Sequence, residues 1–109
     1  MTQRLALLGA SGSIGASTVE VVRHHPDRLS IATLGALGRN PEVLLALARE
    51  FRPRLLAVVD PAVARDLRPA LPPGVELASG PEALIAAATH PEVDKVVAAI
   101  VGASGLPPV

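Results

Sequence analysis

Residues 5–15, LALLGASGSIG, decide the fold, because a continuous apolar run leads there into three glycines. An uninterrupted apolar run of this length is typical of a parallel strand that is covered on both faces. Gly9 allows the chain to turn sharply off this strand, and Gly12 has no side chain to keep a pyrophosphate from the backbone. Gly15 allows the following helix to pack tightly on the sheet. The stretch therefore predicts a strand, a phosphate-binding turn and a helix.

The predicted helix begins at this turn, so its first amides point at the phosphates, aided by the helix dipole. Ser11 and Ser13 add hydroxyl donors. A glycine-rich turn without a ligand is the alternative, but its placement between a strand and a helix favours a ligand. The lysine of a P-loop is missing, which disfavours hydrolysis of nucleoside triphosphates. The spacing GxxGxxG also differs from the commonest NAD fingerprint.

Short apolar runs alternate with helical stretches along the whole chain, which is the pattern of a parallel α/β sheet. A capping residue or glycine followed by proline marks three helix starts, at Asn40-Pro41, Asp60-Pro61 and Gly80-Pro81. The predicted strands are Leu5 to Leu8, Leu29 to Leu34, Leu55 to Val59, Val75 to Ala78 and a buried last strand from Lys95 to Val101. The fold class is therefore α/β, a Rossmann-like doubly wound parallel sheet of about five strands in three αβα layers.

The segment after the second strand, residues 35–40, reads GALGRN. Domains that bind NAD commonly place Asp or Glu here, to accept hydrogen bonds from the adenosine ribose. No acidic residue occurs between Asp27 and Glu42, and Arg39 offers a guanidinium that can hold a phosphate in bidentate fashion. Asn40 supplies a second phosphate contact or only caps the next helix. The segment favours NADP over NAD, unless Arg39 is merely a solvated loop residue.

Composition bounds the remaining possibilities. The chain has 109 residues, enough for one domain, and its core must consist of Ala, Val, Leu and Ile because Phe51 is the only aromatic residue. Ten basic residues balance ten acidic ones, which disfavours nucleic acid and anionic membranes as partners. The absence of cysteine excludes a disulfide framework and a thiolate zinc site. We expect a soluble, cytoplasmic protein, because no signal peptide or membrane span is evident.

Catalytic and metal-binding constellations are not evident in the sequence. The histidines do not occur at metal-ligand spacing with other ligands, so we expect no metal site within this chain. Ser11 and Ser13 are better used by phosphate than by a catalytic triad, and Asp60 is read as a helix cap and not as a catalytic acid. We therefore assign no catalytic residue.

Three segments together resemble the 1-deoxy-D-xylulose-5-phosphate reductoisomerase family. They are LLGASGSIGASTVEVVRHHP at residues 7–26, GRN at 38–40 and VDKVVAAIVGASGL at 93–106. The family typically shows GSTGSIG, a G-K/R-N segment and AAIVGAAGL in the same order. The resemblance covers essentially the whole chain, and the three motifs together are far more specific than the first alone.

The resemblance implies a function and a set of site residues. The family rearranges 1-deoxy-D-xylulose 5-phosphate and reduces it with NADPH to 2-C-methyl-D-erythritol 4-phosphate, in the non-mevalonate route to isoprenoids. It uses a divalent metal, Mg, Mn or Co, acts on a small phosphosugar, and is expected to be a homodimer. By the match, the pyrophosphate would contact Ser11, Gly12, Ser13 and Ile14, and the adenosine ribose phosphate would contact Gly38, Arg39 and Asn40. The strand ending at Gly102 would approach the nicotinamide.

The chain departs from the family pattern in three ways. Ser11 replaces the usual threonine, and the stretch from Leu34 to Arg39 is one residue longer than the commoner pattern. The family's lysine-glutamate motif, acidic metal ligands and substrate-phosphate site would all follow Val109. We therefore expect residues 1–109 to be one NADPH-binding domain of a longer enzyme, inactive alone. The alternatives are the cofactor domain of a semialdehyde-dehydrogenase type enzyme and a non-enzymatic NADP-sensing module.

Overall fold

The computed structural model describes residues 2–10 and 12–98, which form alternating strands and helices. The strands are β1 (Gln3–Leu8), β2 (Leu29–Ala36), β3 (Leu55–Val58), β4 (Glu76–Ser79) and β5 (Lys95–Ala98). The helices are α1 (Ser13–His24), α2 (Pro41–Phe51), α3 (Pro61–Leu67) and α4 (Ala83–Ala88), and a 3-10 turn at Arg68–Ala70 extends α3. This alternation of β and α elements is the one that the sequence predicts.

The five strands form one parallel sheet in the order β4-β3-β2-β1-β5. The chain steps in one direction from β1 to β4 and then returns across the sheet to β5. Because such crossovers are right-handed, the outward steps place α1, α2 and α3 on one face, and the return places α4 on the other. The buried side chains follow this division, since those of α1 to α3 and those of α4 belong to separate core clusters. The predicted three-layer α/β class is confirmed.

The sheet has a topological switch between β1 and its neighbours. The chain leaves β1 toward β2 on one side, and β5 pairs with β1 on the other side. Open α/β sheets bind ligands in the crevice at the carboxyl ends of the strands, at such a switch point. The glycine turn follows β1 directly and therefore lies at this position.

Two strands differ from the sequence prediction in ways that matter for the site. Strand β2 continues past Leu34 to Ala36, because Gly35 and Ala36 pair with β3 in the ladder. The last strand is described only as far as Ala98, and the prediction that it is buried is wrong for this part. Val96 is 44% exposed, because β5 lies at the edge of the described sheet and pairs there with β1.

Candidate functional site

The turn between β1 and α1 is fixed by its own backbone. Gly9 adopts a φ of +86°, a left-handed conformation that glycine reaches without the steric cost of a side chain. The amides of Gly9 and Ala10 both donate to the carbonyl oxygen of Gly35, at 2.7 and 3.1 Å. The amide of Gly12 donates in turn to the carbonyl oxygen of Gly9, at 3.1 Å. The turn is thus held against β2 by backbone hydrogen bonds, and the side chain of Ala10 is buried in the core beneath it.

Two further glycines have separate steric roles. A Cβ atom on Gly15 would lie 2.5 Å from the carbonyl oxygen of Gly9 and 2.7 Å from that of Ala10, so α1 packs on the turn only because this side chain is missing. A Cβ atom on Gly12 would meet nothing nearer than 3.5 Å, and Gly12 is exposed. Gly15 is therefore required by the fold, whereas Gly12 leaves its backbone open to solvent.

The amino terminus of α1 carries no negative charge of its own. Gly12 occupies the N-cap position without a side-chain hydrogen bond, and the first turn contains no acidic residue. The first amides of a helix have no acceptor within it, and the helix dipole adds a partial positive charge there. Ser13 and Ile14 are exposed at this end. The arrangement suits an anion; Ser11 is outside the described residues, and its hydroxyl contact stays a prediction.

The loop after β2 is held by Asp60, the residue that precedes α3. The amide of Asp60 donates to the carbonyl oxygen of Leu37 at 3.0 Å. Gly38 has a φ of +134°, and a Cβ atom on it would lie 2.9 Å from the Cβ of Asp60. Asp60 also caps α3, because its Oδ1 accepts the amide of Ala62 at 3.0 Å. The prediction that Asp60 is a helix cap is confirmed.

Asn40 and Arg39 both remain available for a ligand. Asn40 occupies the N-cap position of α2 with a φ of +52°, but its side chain makes no capping hydrogen bond. Asn40 thus begins α2 as predicted, but it does not cap the helix with its side chain, and its contact with a phosphate stays a prediction. Arg39 is exposed, and within residues 2–10 and 12–98 the structure shows no ion pair or side-chain hydrogen bond for it. A guanidinium in this state can bind a phosphate without first losing a protein partner.

The glycine turn and the Arg39 loop come together at one edge of the sheet. Strands β1 and β2 are parallel neighbours, and Leu8 pairs with Gly35 just before the two segments leave the sheet. The predicted contact residues from Gly12 to Ile14 and from Gly38 to Asn40 thus share the carboxyl edge. The third predicted segment, ending at Gly102, is outside the described part of the chain.

Other site classes receive no support from the described residues. No three His, Asp or Glu side chains there are grouped so that they could hold a metal ion. No helix in that part of the chain is long and apolar enough to cross a membrane.

Sequence reasoning did not assign a role to Gly35 or to the contact of Gly38 with Asp60. The signal for Gly35 was available, because a glycine inside a strand often marks a close backbone approach. The contact of Gly38 with Asp60 joins the segments that follow β2 and β3, and no local pattern in the sequence indicates it.

The fold and the turn define the class of protein, an α/β domain of the Rossmann type with its glycine turn at the switch point. The family model described as 1-deoxy-D-xylulose 5-phosphate reductoisomerase matches residues 5–109. The chain therefore belongs to the 1-deoxy-D-xylulose 5-phosphate reductoisomerase family. The comparisons support this interpretation and not the semialdehyde-dehydrogenase alternative.

Curated relatives and solved structures agree with this assignment. Reductoisomerases of this name from Ralstonia pickettii and Trichlorobacter lovleyi are 49% and 50% identical, covering 96% and 97% of the chain. The chain spans about a quarter of the length of these relatives, 27% in each case. A crystal structure of DOX-P reductoisomerase with magnesium matches 97% of the chain and 27% of its own, with a TM-score of 0.82 and 43% identity. The Zymomonas mobilis enzyme in complex with NADPH matches 92% of the chain and 26% of its own, with a TM-score of 0.82 and 35% identity.

Proposed function

We propose that this chain is the NADPH-binding portion of a 1-deoxy-D-xylulose 5-phosphate reductoisomerase. The pyrophosphate binds at Ser11, Gly12, Ser13 and Ile14, and the phosphate on the adenosine ribose binds at Gly38, Arg39 and Asn40. One observation carries the proposal: the acid-free amino terminus of α1 and the exposed Arg39 follow neighbouring strands at the same sheet edge.

The described residues fit this cofactor in two respects. The open space at Gly12 allows a pyrophosphate to approach the backbone, where the first amides of α1 donate to it. Arg39 follows β2 where domains that bind NAD commonly have a carboxylate, which would repel an added phosphate. The Zymomonas mobilis relative, solved with NADPH, supports the same choice of cofactor.

The longer enzyme would rearrange 1-deoxy-D-xylulose 5-phosphate and reduce it to 2-C-methyl-D-erythritol 4-phosphate. Bound NADPH supplies the hydride for the reduction, and this chain contributes binding and orientation. The divalent metal, Mg, Mn or Co, and the phosphosugar would bind to residues of the longer enzyme, since the described part of this chain gathers no three metal ligands. We propose a homodimer in the cytoplasm as its working state.

The cofactor assignment is tested by titrating the full chain with NADPH and with NADH. We expect NADPH to bind more tightly, and Arg39→Ala to remove most of this preference, about tenfold or more, through loss of a charge-assisted contact. Arg28→Ala is the matched control, because Arg28 is also exposed but lies just before β2, at the opposite edge of the sheet. Equal affinity for both cofactors in the unmodified chain would overturn the role of Arg39.

The division of labour is tested by adding 1-deoxy-D-xylulose 5-phosphate, Mg²⁺ and NADPH to the chain alone. We expect no oxidation of NADPH, because the substrate and metal sites belong to the longer enzyme. Measurable turnover would contradict the proposal that this chain supplies only the cofactor site.

A further inference from the structure

The carbonyl oxygen of Gly35 is the anchor of the glycine turn. It accepts the amides of Gly9 and Ala10, and the carbonyl oxygen of Gly9 accepts the amide of Gly12. The carbonyl oxygen of Gly12 then accepts the amide of Ala16, in the first turn of α1. A continuous series of backbone hydrogen bonds therefore connects Gly35 on β2 to the turn and to the start of α1. The position of Gly35 thus affects the position of both.

Helix α4 packs against the same residue from the opposite side of the sheet from α1. A Cβ atom on Gly35 would lie 2.8 Å from Cδ2 of Leu84 and 2.9 Å from Cδ2 of Leu8. Two residues earlier on β2, the buried hydroxyl of Thr33 donates to the carbonyl oxygen of Ala87 at 2.8 Å. Helix α4 is thus fixed to β2 by one hydrogen bond and by close contact at Gly35.

We infer that Gly35 is a positioning residue for the phosphate-binding turn, and that the contact with Leu84 sets the position of its carbonyl oxygen. The inference rests on the proposed function, in which this turn holds the pyrophosphate of NADPH. Gly35 has no side chain that could touch the cofactor, so it acts through the amides of Gly9, Ala10 and Gly12. Helix α4 thereby influences cofactor binding from the other face of the sheet.

The test adds a methyl group at this contact and then makes room for it. Gly35→Ala pushes against the tips of two flexible leucines, so we expect the chain to fold with β2 slightly displaced. NADPH binding should weaken about fivefold or more, on the scale of contacts that are coupled. Binding of adenosine 2′-monophosphate, which lacks the pyrophosphate, should stay within about twofold. The double variant Gly35→Ala/Leu84→Ala removes the contact with α4 and should recover part of the affinity for NADPH, because Cδ2 of Leu8 still lies 2.9 Å from the added Cβ.

A stability control separates positioning from general damage. Leu67→Ala removes a buried side chain of α3, far along the chain from the turn, and should lower the melting temperature without weakening NADPH binding. Equal weakening of both ligands by Gly35→Ala, or failure of the double variant to recover affinity, would overturn the inference.

A ligand-free measurement keeps the inference distinct from the proposed function. In NMR spectra of the chain without cofactor, the amide resonances of Gly9, Ala10 and Gly12 should shift in Gly35→Ala and move back toward their original positions in the double variant. Unchanged amide resonances in Gly35→Ala would refute the positioning role, whether or not NADPH binds. Failure of the unmodified chain to bind NADPH would instead refute the proposed function.

Discussion

The two edges of the sheet differ in the ion pairs that their arginines make. At the amino edge, where strands begin and helices end, three arginines are paired with carboxylates across elements, whereas Arg28 makes no ion pair within the described residues. These pairs are Arg4 with Asp94 at 3.3 Å, Arg54 with Glu92 at 3.2 Å and Arg23 with Glu50 at 2.6 Å. At the carboxyl edge, Arg39 has no such pair within the described residues, and the first turn of α1 has no acidic residue.

This difference distinguishes two groups of charged residues. The ion pairs at the amino edge connect one element of the fold to another, whereas Arg39 at the carboxyl edge is available for a ligand. The chain is neutral overall, with ten basic and ten acidic residues, so no long-range field draws in a polyanion. The positive and negative charges are nevertheless distributed unevenly, because the paired arginines of the amino edge have carboxylates beside them. Substitutions at the carboxyl edge should therefore change cofactor binding, and those at the amino edge should change stability alone.

The largest expected effect comes from two glycines of the carboxyl edge. Gly15→Ala should destabilise the fold by about 1–3 kcal/mol through overpacking and should abolish NADPH binding, because backbone oxygens surround the added Cβ. Gly12→Ala should leave the melting temperature unchanged, since its Cβ meets only Gly9 at 3.5 Å. It should still weaken NADPH binding about tenfold, by keeping the pyrophosphate from a charge-assisted hydrogen bond.

Thermal unfolding and NADPH titration of both variants check this pair. Tight NADPH binding by Gly12→Ala would contradict the proposed position of the pyrophosphate. An unchanged melting temperature in Gly15→Ala would contradict the close packing of α1 on the turn.

Replacing one arginine by glutamate at each edge compares the two edges most directly. Arg39→Glu should weaken NADPH binding by more than about tenfold and favour NADH, because a carboxylate there accepts ribose hydroxyls and repels phosphate. Arg54→Glu is the matched variant at the amino edge. It removes the ion pair with Glu92 and places a second carboxylate beside it. It should lower the melting temperature and leave the affinity for NADPH within about twofold. Weakened NADPH binding in Arg54→Glu would break the division between the edges.

Much of this arrangement can be predicted from the sequence, because it depends on local patterns. The glycine spacing after an apolar run predicted the turn, and cap-plus-proline pairs predicted the starts of α2 and α3. The absence of an acidic residue after β2 and the presence of Arg39 predicted a cation at the carboxyl edge of the sheet. Each of these signals comes from residues within a few positions of one another.

The features that the sequence did not predict depend on contacts between distant segments. The end of β2 is set by pairing with β3, and the role of Gly35 depends on α4, about fifty residues later. The exposure of Val96 follows from the position of β5 at the edge of the described sheet, which apolar periodicity does not encode. Strand order and packing across the sheet decide these features.

A smaller effect is expected from Asp94, which connects the start of β5 to β1 at the amino edge. Its Oδ2 accepts the backbone amide of Arg4 at 2.9 Å and Nε of Arg4 at 3.3 Å. The Arg4 side chain, followed by its amide, lowers the pKa of Asp94 below the ordinary 3.8. A lowered pKa in the folded state stabilises the fold above the unfolded pKa, and this contribution is lost as pH falls through the lowered value. Asp94→Asn should therefore lower the melting temperature at pH 7 without changing NADPH affinity.

The pH series is the check on this assignment. The difference in melting temperature between Asp94→Asn and the unmodified chain should shrink toward zero in acid, where the carboxyl is protonated in both states. A difference that is constant with pH would show that the ionisation of Asp94 does not stabilise the contact between the two strands.

The smallest expected effect belongs to Glu50, which joins the ends of α1 and α2. Arg23 binds Glu50 and Glu20 together, 6.0 Å from the ring centroid of Phe51, and its hydrogen bond lowers the pKa of Glu50 below the ordinary 4.5. All three charged side chains are substantially exposed, so solvent screens the pair and Glu50→Gln should lower the melting temperature by only about 1–3 °C. The drop should shrink in 1 M salt, where the screening length falls to about 3 Å, and should disappear as pH falls through the lowered pKa. A drop that survives both treatments would mean that the charge of Glu50 is not what stabilises the fold, and the amino edge would then depend less on ion pairs than its geometry indicates.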